Sequence, residues 1–172
     1  MSNDALKMIK EKDVEYVDLR FTDVRGKLQH VTFTADAVDE SMSEDGTMFD
    51  GSSIAGWKSI EASDMKLMLD TDTAYVDPFY AEKTMCIHCS VVEPDTGEAY
   101  ERDPRGTAQK AEAYLKSTGI GDVAYMGPEA EFFLFDNVRF STSMSKVSYE
   151  VDAIDASWNT DADLEMGNMG HR

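Results

Sequence analysis

Cysteine, histidine and proline are all scarce in this 172-residue chain, which holds two, three and four of them. Two cysteines are far from the dense disulfide framework of a small secreted domain. They stand in Met85-Cys86-Ile87-His88-Cys89, a C-x-x-C spacing with no second pair to complete a zinc site. Met85, Ile87, Cys89 and Val91 alternate there with Cys86, His88 and Ser90, which predicts a strand with its two sulfurs on opposite faces. That geometry excludes a shared metal or disulfide. Long apolar runs are missing as well, and none approaches the roughly 18 residues of a membrane helix. The opening Met1-Ser2-Asn3-Asp4 has neither the basic nor the apolar region of a signal peptide, so a cytoplasmic protein is expected. Positive charge is short too. Sixteen Lys and Arg face 34 Asp and Glu, for a net charge of −18. Such an excess repels phosphate backbones and anionic lipid, so neither nucleic acid nor membrane is expected as a partner.

Acid is what the chain has in plenty. It serves solubility, or a subset of it gathers to hold cations; composition leaves both open. The pattern along the chain is more informative. Residues 4–12 predict a short helix with Leu6 and Ile9 on one side. A hairpin follows, in which Val17, Leu19 and Phe21 alternate with Asp18 and Arg20, Asp23-Val24-Arg25-Gly26 turns, and Gln29, Val31 and Phe33 alternate again. Residues 35–47 read as a helical turn and a loop ending at Gly46, and residues 49–57 as a Gly/Ser-rich loop with aromatic anchors. Further strands are expected over 66–70 and 84–92, with turn chemistry in Pro94-Asp95-Thr96-Gly97. Asp103 is suited to cap a helix with Pro104 at its first position, Ala108, Ala111 and Leu115 along one stripe, and Gly119 as its stop. A strand pair over 123–126 and 130–135 is expected next, and residues 159–172 read as loop. The change of texture near residues 100–104 places a domain boundary there, giving domains 1–102 and 103–172. The second holds a single helix, too little to cover a sheet beginning Phe132-Phe133-Leu134-Phe135, and it reads as an unfinished domain.

Two segments carry candidate chemistry. In Gly127-Pro128-Glu129-Ala130-Glu131-Phe132-Phe133-Leu134-Phe135, a strand would put Glu129 and Glu131 on one face, about 7 Å apart. Paired carboxylates suit hard divalent cations such as Mg²⁺ or Mn²⁺, although the same spacing also describes a solvated strand face. In Phe49-Asp50-Gly51-Ser52-Ser53-Ile54-Ala55-Gly56-Trp57, two glycines permit close backbone approach, two serines and Asp50 supply polar groups, and Phe49 and Trp57 pin both ends. Such a loop either recognises a small polar cation or is a well-packed turn.

Both segments resemble one family. Phe49-Asp50-Gly51-Ser52-Ser53, followed by Ser63-Asp64, is similar to the N-terminal signature of glutamine synthetases. Gly127-Pro128-Glu129-Ala130-Glu131-Phe132-Phe133-Leu134-Phe135 resembles the family's metal-binding strand. Val17-Asp18-Leu19-Arg20-Phe21-Thr22-Asp23 and Asn168-Met169-Gly170-His171-Arg172 also look like family segments. The resemblance spans the chain and is to the bacterial dodecameric class. It implies an α+β fold: a β-grasp-like N-terminal domain followed by the beginning of a catalytic half-barrel. It implies ATP-dependent ligation of ammonia to the γ-carboxylate of glutamate through a γ-glutamyl phosphate, with glutamate, ammonium and ATP as substrates and Mg²⁺ or Mn²⁺ as cofactor. By resemblance Glu129 and Glu131 are metal ligands, Asp50 binds ammonium and takes its proton, and Ser53 neighbours it. The Asp50 loop then serves the active site of an adjacent subunit in a homo-oligomer, a dodecamer. The family's remaining metal ligands and its nucleotide and glutamate contacts lie beyond Arg172, so the 172 residues alone are expected to be inactive. Two alternatives accompany this expectation: a related glutamate–amine ligase of the same family, and a non-catalytic truncated module that docks on a partner chain through open sheet edges.

Overall fold

A computed structural model describes residues 4–154 and Ala156. The expected loop over 159–172, with its Asn168–Arg172 motif, lies outside them. The chain divides after Ala124 into two compact units.

The first unit is built on a mixed sheet. Helix α1 (Asp4–Glu11) opens it, and strands β1 (Tyr16–Thr22) and β2 (Leu28–Thr34) form the expected antiparallel hairpin. Its turn is tied by Asp23, whose Oδ1 accepts the backbone N–H groups of Arg25 and Lys27 while Oδ2 accepts the Gln29 amide. A short helix α2 (Glu40–Asp45) leads into β3 (Thr47–Asp50), which pairs antiparallel with β4 (Asp64–Leu69). After the two-residue β5 (Tyr75–Val76), strand β6 (Thr84–Val92) runs through the middle of the sheet. It is parallel to β1 and antiparallel to β4 and β5, giving the order β2-β1-β6-β4-β3 with β5 also on β6. Helix α3 (Pro104–Thr118) follows.

Alternation decides the core. Val17, Leu19 and Phe21 of β1, Met65 and Leu67 of β4, and Met85, Ile87, Cys89 and Val91 of β6 form one buried cluster, against which Leu6, Met8 and Ile9 of α1 pack. The C-x-x-C is split as its alternation requires: Cys89 lies in this cluster, whereas the Cys86 thiol faces Asp77 on the other side. Both are free cysteines, and burial raises Cys86 to about 11 and Cys89 to about 12, so neither is a ready thiolate. Asp103 caps α3 as expected, accepting the Arg105 N–H on Oδ1. Its other oxygen accepts the Val91 N–H, so the one buried carboxylate ties the helix start to β6. Gly119 ends the helix in the left-handed region.

The face of β1 opposite the core is polar, and one carboxylate on it is buried. Asp18 is only 1% exposed, and accepts from Thr32 Oγ1 at 2.7 Å and Arg20 Nε at 2.8 Å, with His30 Nδ1 at 2.7 Å. Arg20 extends the network to Tyr75 Oη and Asp77 Oδ2.

Gly46, the C-cap of α2, sets the approach of β3 to β4. Its φ is +77°, and a Cβ there would lie 2.3 Å from the Leu67 carbonyl oxygen. Gly46→Ala should therefore destabilise the first unit by about 1–3 kcal/mol from the backbone conformation alone, with the Leu67 clash in addition. Urea unfolding followed through Trp57 fluorescence measures it; a parent-like midpoint would contradict this account of the turn.

The second unit corrects an expectation. Residues 123–135 form no strand pair; the ladder lies further on, between β7 (Asn137–Thr142) and β8 (Val147–Asp152). In that hairpin Arg139 sits opposite Glu150, and its guanidinium meets both Glu150 and Asp152. A strand forms only where a neighbour accepts its backbone hydrogen bonds, and residues 130–135 have no such neighbour among the described residues. Phe132, Phe133 and Leu134 are accordingly exposed.

Candidate functional site

The site expected at Asp50 begins where β3 ends. Register places Asp50 opposite Asp64 of β4. The chain then turns through Gly51–Ser53, a single 3-10 turn whose cap is Asp50 itself. Gly51 makes the turn possible. It is buried, its N–H donates to the Ser63 carbonyl at 2.7 Å, and a Cβ there would lie 2.3 Å from the Met65 sulfur. Beyond the turn, Ile54 and Trp57 are buried, and Trp57 packs against Phe21, Phe49 and Tyr100 with ring centroids 5.3–6.2 Å away. The loop is thus pinned at both ends by the aromatics that the sequence offered for the purpose. Arg102 donates to the Gly56 carbonyl and Lys58 pairs with Glu93, which fixes its outer side.

Asp50 itself stays exposed. Its Oδ1 accepts both the Ser52 N–H at 2.8 Å and the Ser52 hydroxyl at 2.6 Å. These two bonds, with a further contribution from the Ser63 hydroxyl, hold the carboxyl below the ordinary aspartate range. The result is a fixed, ionised carboxylate open to solvent. Ser53 is exposed, and its hydroxyl makes no hydrogen bond among the described residues. The serine that holds Asp50 is Ser52, which the sequence offered as one of the loop's two hydroxyls but not as a site residue; an aspartate two residues before a serine in a Gly-containing turn is the signal that could have singled it out. Beside the loop, a cavity of about 500 Å³ is lined by Ser63, Glu61, Asp64, Glu93 and Asp95, with Lys58 the one cation among its lining residues. Its field favours positive charge.

Glu129 and Glu131 lie in the second unit, on the extended stretch before β7, and both are exposed. Neither forms a hydrogen bond or ion pair among the described residues. Nearby Phe133 and Phe135 stack at 6.2 Å with nearly parallel rings, so alternate residues share a side at that point of the stretch. No third His, Cys, Asp or Glu joins the two glutamates in a metal-sized group among the described residues. As open carboxylates they have the right donor chemistry for a hard cation, but two side chains fall short of its usual six or more oxygen ligands.

The first unit is thus a mixed sheet carrying a clamped carboxylate loop, and the second holds two open glutamates. Comparison with known proteins gives the family. Residues 13–94 match the model described as glutamine synthetase, beta-Grasp domain, and residues 101–168 match that described as glutamine synthetase, catalytic domain. The chain belongs to the glutamine synthetase family. It is 69% identical to the glutamine synthetase of Cereibacter sphaeroides over 169 residues and 68% identical to that of Rhodobacter capsulatus over 168. Each alignment covers 98% of this chain but only 36% and 38% of the relative, so the chain spans a little over a third of their length. Among solved structures, Plasmodium falciparum glutamine synthetase superposes with a TM-score of 0.67 at 25% identity, over 91% of this chain and 31% of that one. A GmaS/ADP complex shares the fold with a TM-score of 0.61 at 20% identity, over 68% of this chain and 26% of that one.

Proposed function

We propose that these residues belong to an enzyme that joins ammonia to the γ-carboxylate of glutamate at the expense of ATP. The observation that carries this is the exposed, serine-clamped carboxylate of Asp50 in a chain of the glutamine synthetase family. Ammonium has no free lone pair until it loses a proton. A fixed carboxylate supplies the attraction that binds it and a base positioned to take that proton. Asp50 fills this role, with Ser53 as a neighbour in the ammonium site. Glu129 and Glu131 each contribute to one of two neighbouring Mg²⁺ or Mn²⁺ sites. When bound, such cations neutralise charge on the phosphoryl group during its transfer from ATP. Residues 1–102 form the β-grasp domain and 103–172 begin the catalytic domain. The enzyme is a cytoplasmic homo-oligomer, a dodecamer, in which the Asp50 loop serves a neighbouring subunit's site.

The test is product formation by the full-length enzyme with glutamate, ATP and either ammonium or polyamines. Glutamine from ammonium, lost in Asp50→Ala, is the expected result; a polyamine conjugate formed in preference would replace ammonia with another amine. The 172 residues by themselves should make no glutamine, because Glu129 and Glu131 alone leave a cation short of ligands. ATP-dependent glutamine formation by the purified 172-residue chain would refute that expectation.

A further inference from the structure

We propose that Ser52 is the positioning residue for Asp50: its hydroxyl and backbone N–H, both on Oδ1, fix the carboxylate so that Oδ2 is the oxygen presented to ammonium. The proposal rests on the ammonium role assigned to Asp50 and adds a residue to it. Three observations support it. Ser52 reaches Oδ1 twice, at 2.8 Å through its N–H and 2.6 Å through its hydroxyl, which leaves Oδ2 clear of Ser52. The donor is itself held rigidly, since its neighbour Gly51 is bonded to the Ser63 carbonyl and wedged against Met65 with no room for a Cβ. Finally, Asp50 is exposed, so no packing limits its rotation about the Cα–Cβ and Cβ–Cγ bonds, and the Ser52 bonds are its strongest restraint, with a smaller contribution from the Ser63 hydroxyl.

A freely rotating aspartate samples several rotamers, only some of which face a ligand. Ammonium is small and gives few contacts, so orientation of its acceptor decides how much of the available attraction is realised. A carboxylate with one oxygen saturated by two donors offers a single, directed acceptor. Ser52 also keeps Asp50 ionised at lower pH, in agreement with the direction of its titration. Ser53, the serine matched to the family's ammonium site, makes no such bond.

Two experiments test this. The first is a ¹³C NMR titration of the Asp50 carboxyl in the 172-residue chain. The parent should titrate below the ordinary aspartate range, Ser52→Ala should move upward towards it, and Ser52→Thr, which keeps a hydroxyl, should return towards the parent. The second is steady-state kinetics of the full-length enzyme. Ser52→Ala should raise KM for ammonium about three- to tenfold, the size of one ordinary hydrogen bond's net contribution, because the lost bond acts on ammonium only through Asp50. The KM values for ATP and glutamate should not move, and Ser52→Thr should recover the ammonium KM. A merely structural serine would disturb all three substrates together, and that pattern overturns the proposal. Asp50→Asn keeps two failures apart. An unchanged ammonium KM in Asp50→Asn overturns the ammonium role of Asp50, and the proposal with it. A raised KM in Asp50→Asn beside an unmoved one in Ser52→Ala overturns only the positioning by Ser52.

Discussion

Asp18→Ala should destabilise the first unit by about 3–5 kcal/mol, the range for breaking a buried ionic network from one side. Asp18 is almost fully buried and receives three polar partners, Arg20, Thr32 and His30. Alanine would leave the Arg20 Nε–H and the Thr32 hydroxyl facing a void, with Arg20 still held by Asp77 and Tyr75 but short of its nearest counter-charge. Urea unfolding monitored at Trp57 gives the magnitude, and a loss below about 1 kcal/mol would mean that water replaces the carboxylate at little cost. The pH dependence gives a second check. Burial pushes the Asp18 carboxyl up, but the bonds from Arg20, His30 and Thr32 outweigh it, and its folded pKa lies below the ordinary value. A group depressed in this way contributes its stability in full above the unfolded pKa, about 3.9, and loses it as pH falls through the folded value. The parent should therefore lose stability steeply in that acid window, and Asp18→Ala should show a shallower decline there. Equal slopes would place the acid sensitivity on other carboxylates.

Asp18 also shows where sequence patterns inform and where they stop. Alternation in β1 and β6 named the core correctly, because period-two hydrophobicity is a property of the residues themselves. The cap of α3 was equally legible, since Asp, Pro and Gly each act through local backbone chemistry. Alternation put Asp18 on the polar face, yet that face is partly covered: His30 and Thr32 come from β2, and Tyr75 and Asp77 from the β5 segment across β6. Such burial depends on strand order, which no local pattern encodes. The same limit explains the misplaced strand pair. Phe132 to Phe135 have strong strand character, but propensity alone does not supply a partner, whereas Val138 and Phe140 found Val151 and Tyr149 across a short turn. Among the candidate site residues, Asp50, Glu129 and Glu131 stood out through family resemblance. Ser52 did not, because its part depends on which oxygen of Asp50 it reaches.

If the proposed metal role holds, a second large loss of activity is expected at Glu129 and Glu131. Replacing both with glutamine in the full-length enzyme should lower kcat/KM by at least about a hundredfold, more than the 10–100-fold typical of losing a group one step removed from a metal. The reason is charge. An amide oxygen still offers a lone pair but no longer the negative charge that a hard divalent cation needs from its ligands. Both side chains are exposed and make no bond to other described residues, so the substitution removes no packing, and the fold should survive it. That separates chemistry from stability: far-UV circular dichroism and the unfolding midpoint should match the parent while activity is lost. Mn²⁺ binding, read by electron paramagnetic resonance, should weaken in step, and each single replacement should weaken one of two sites more than the other. Excess Mn²⁺ should restore part of the activity of the single variants and little of the double. Retained activity with parent-like Mn²⁺ binding would remove both glutamates from the metal centre and leave Glu-x-Glu as a solvated acidic stretch, the other meaning its spacing allows.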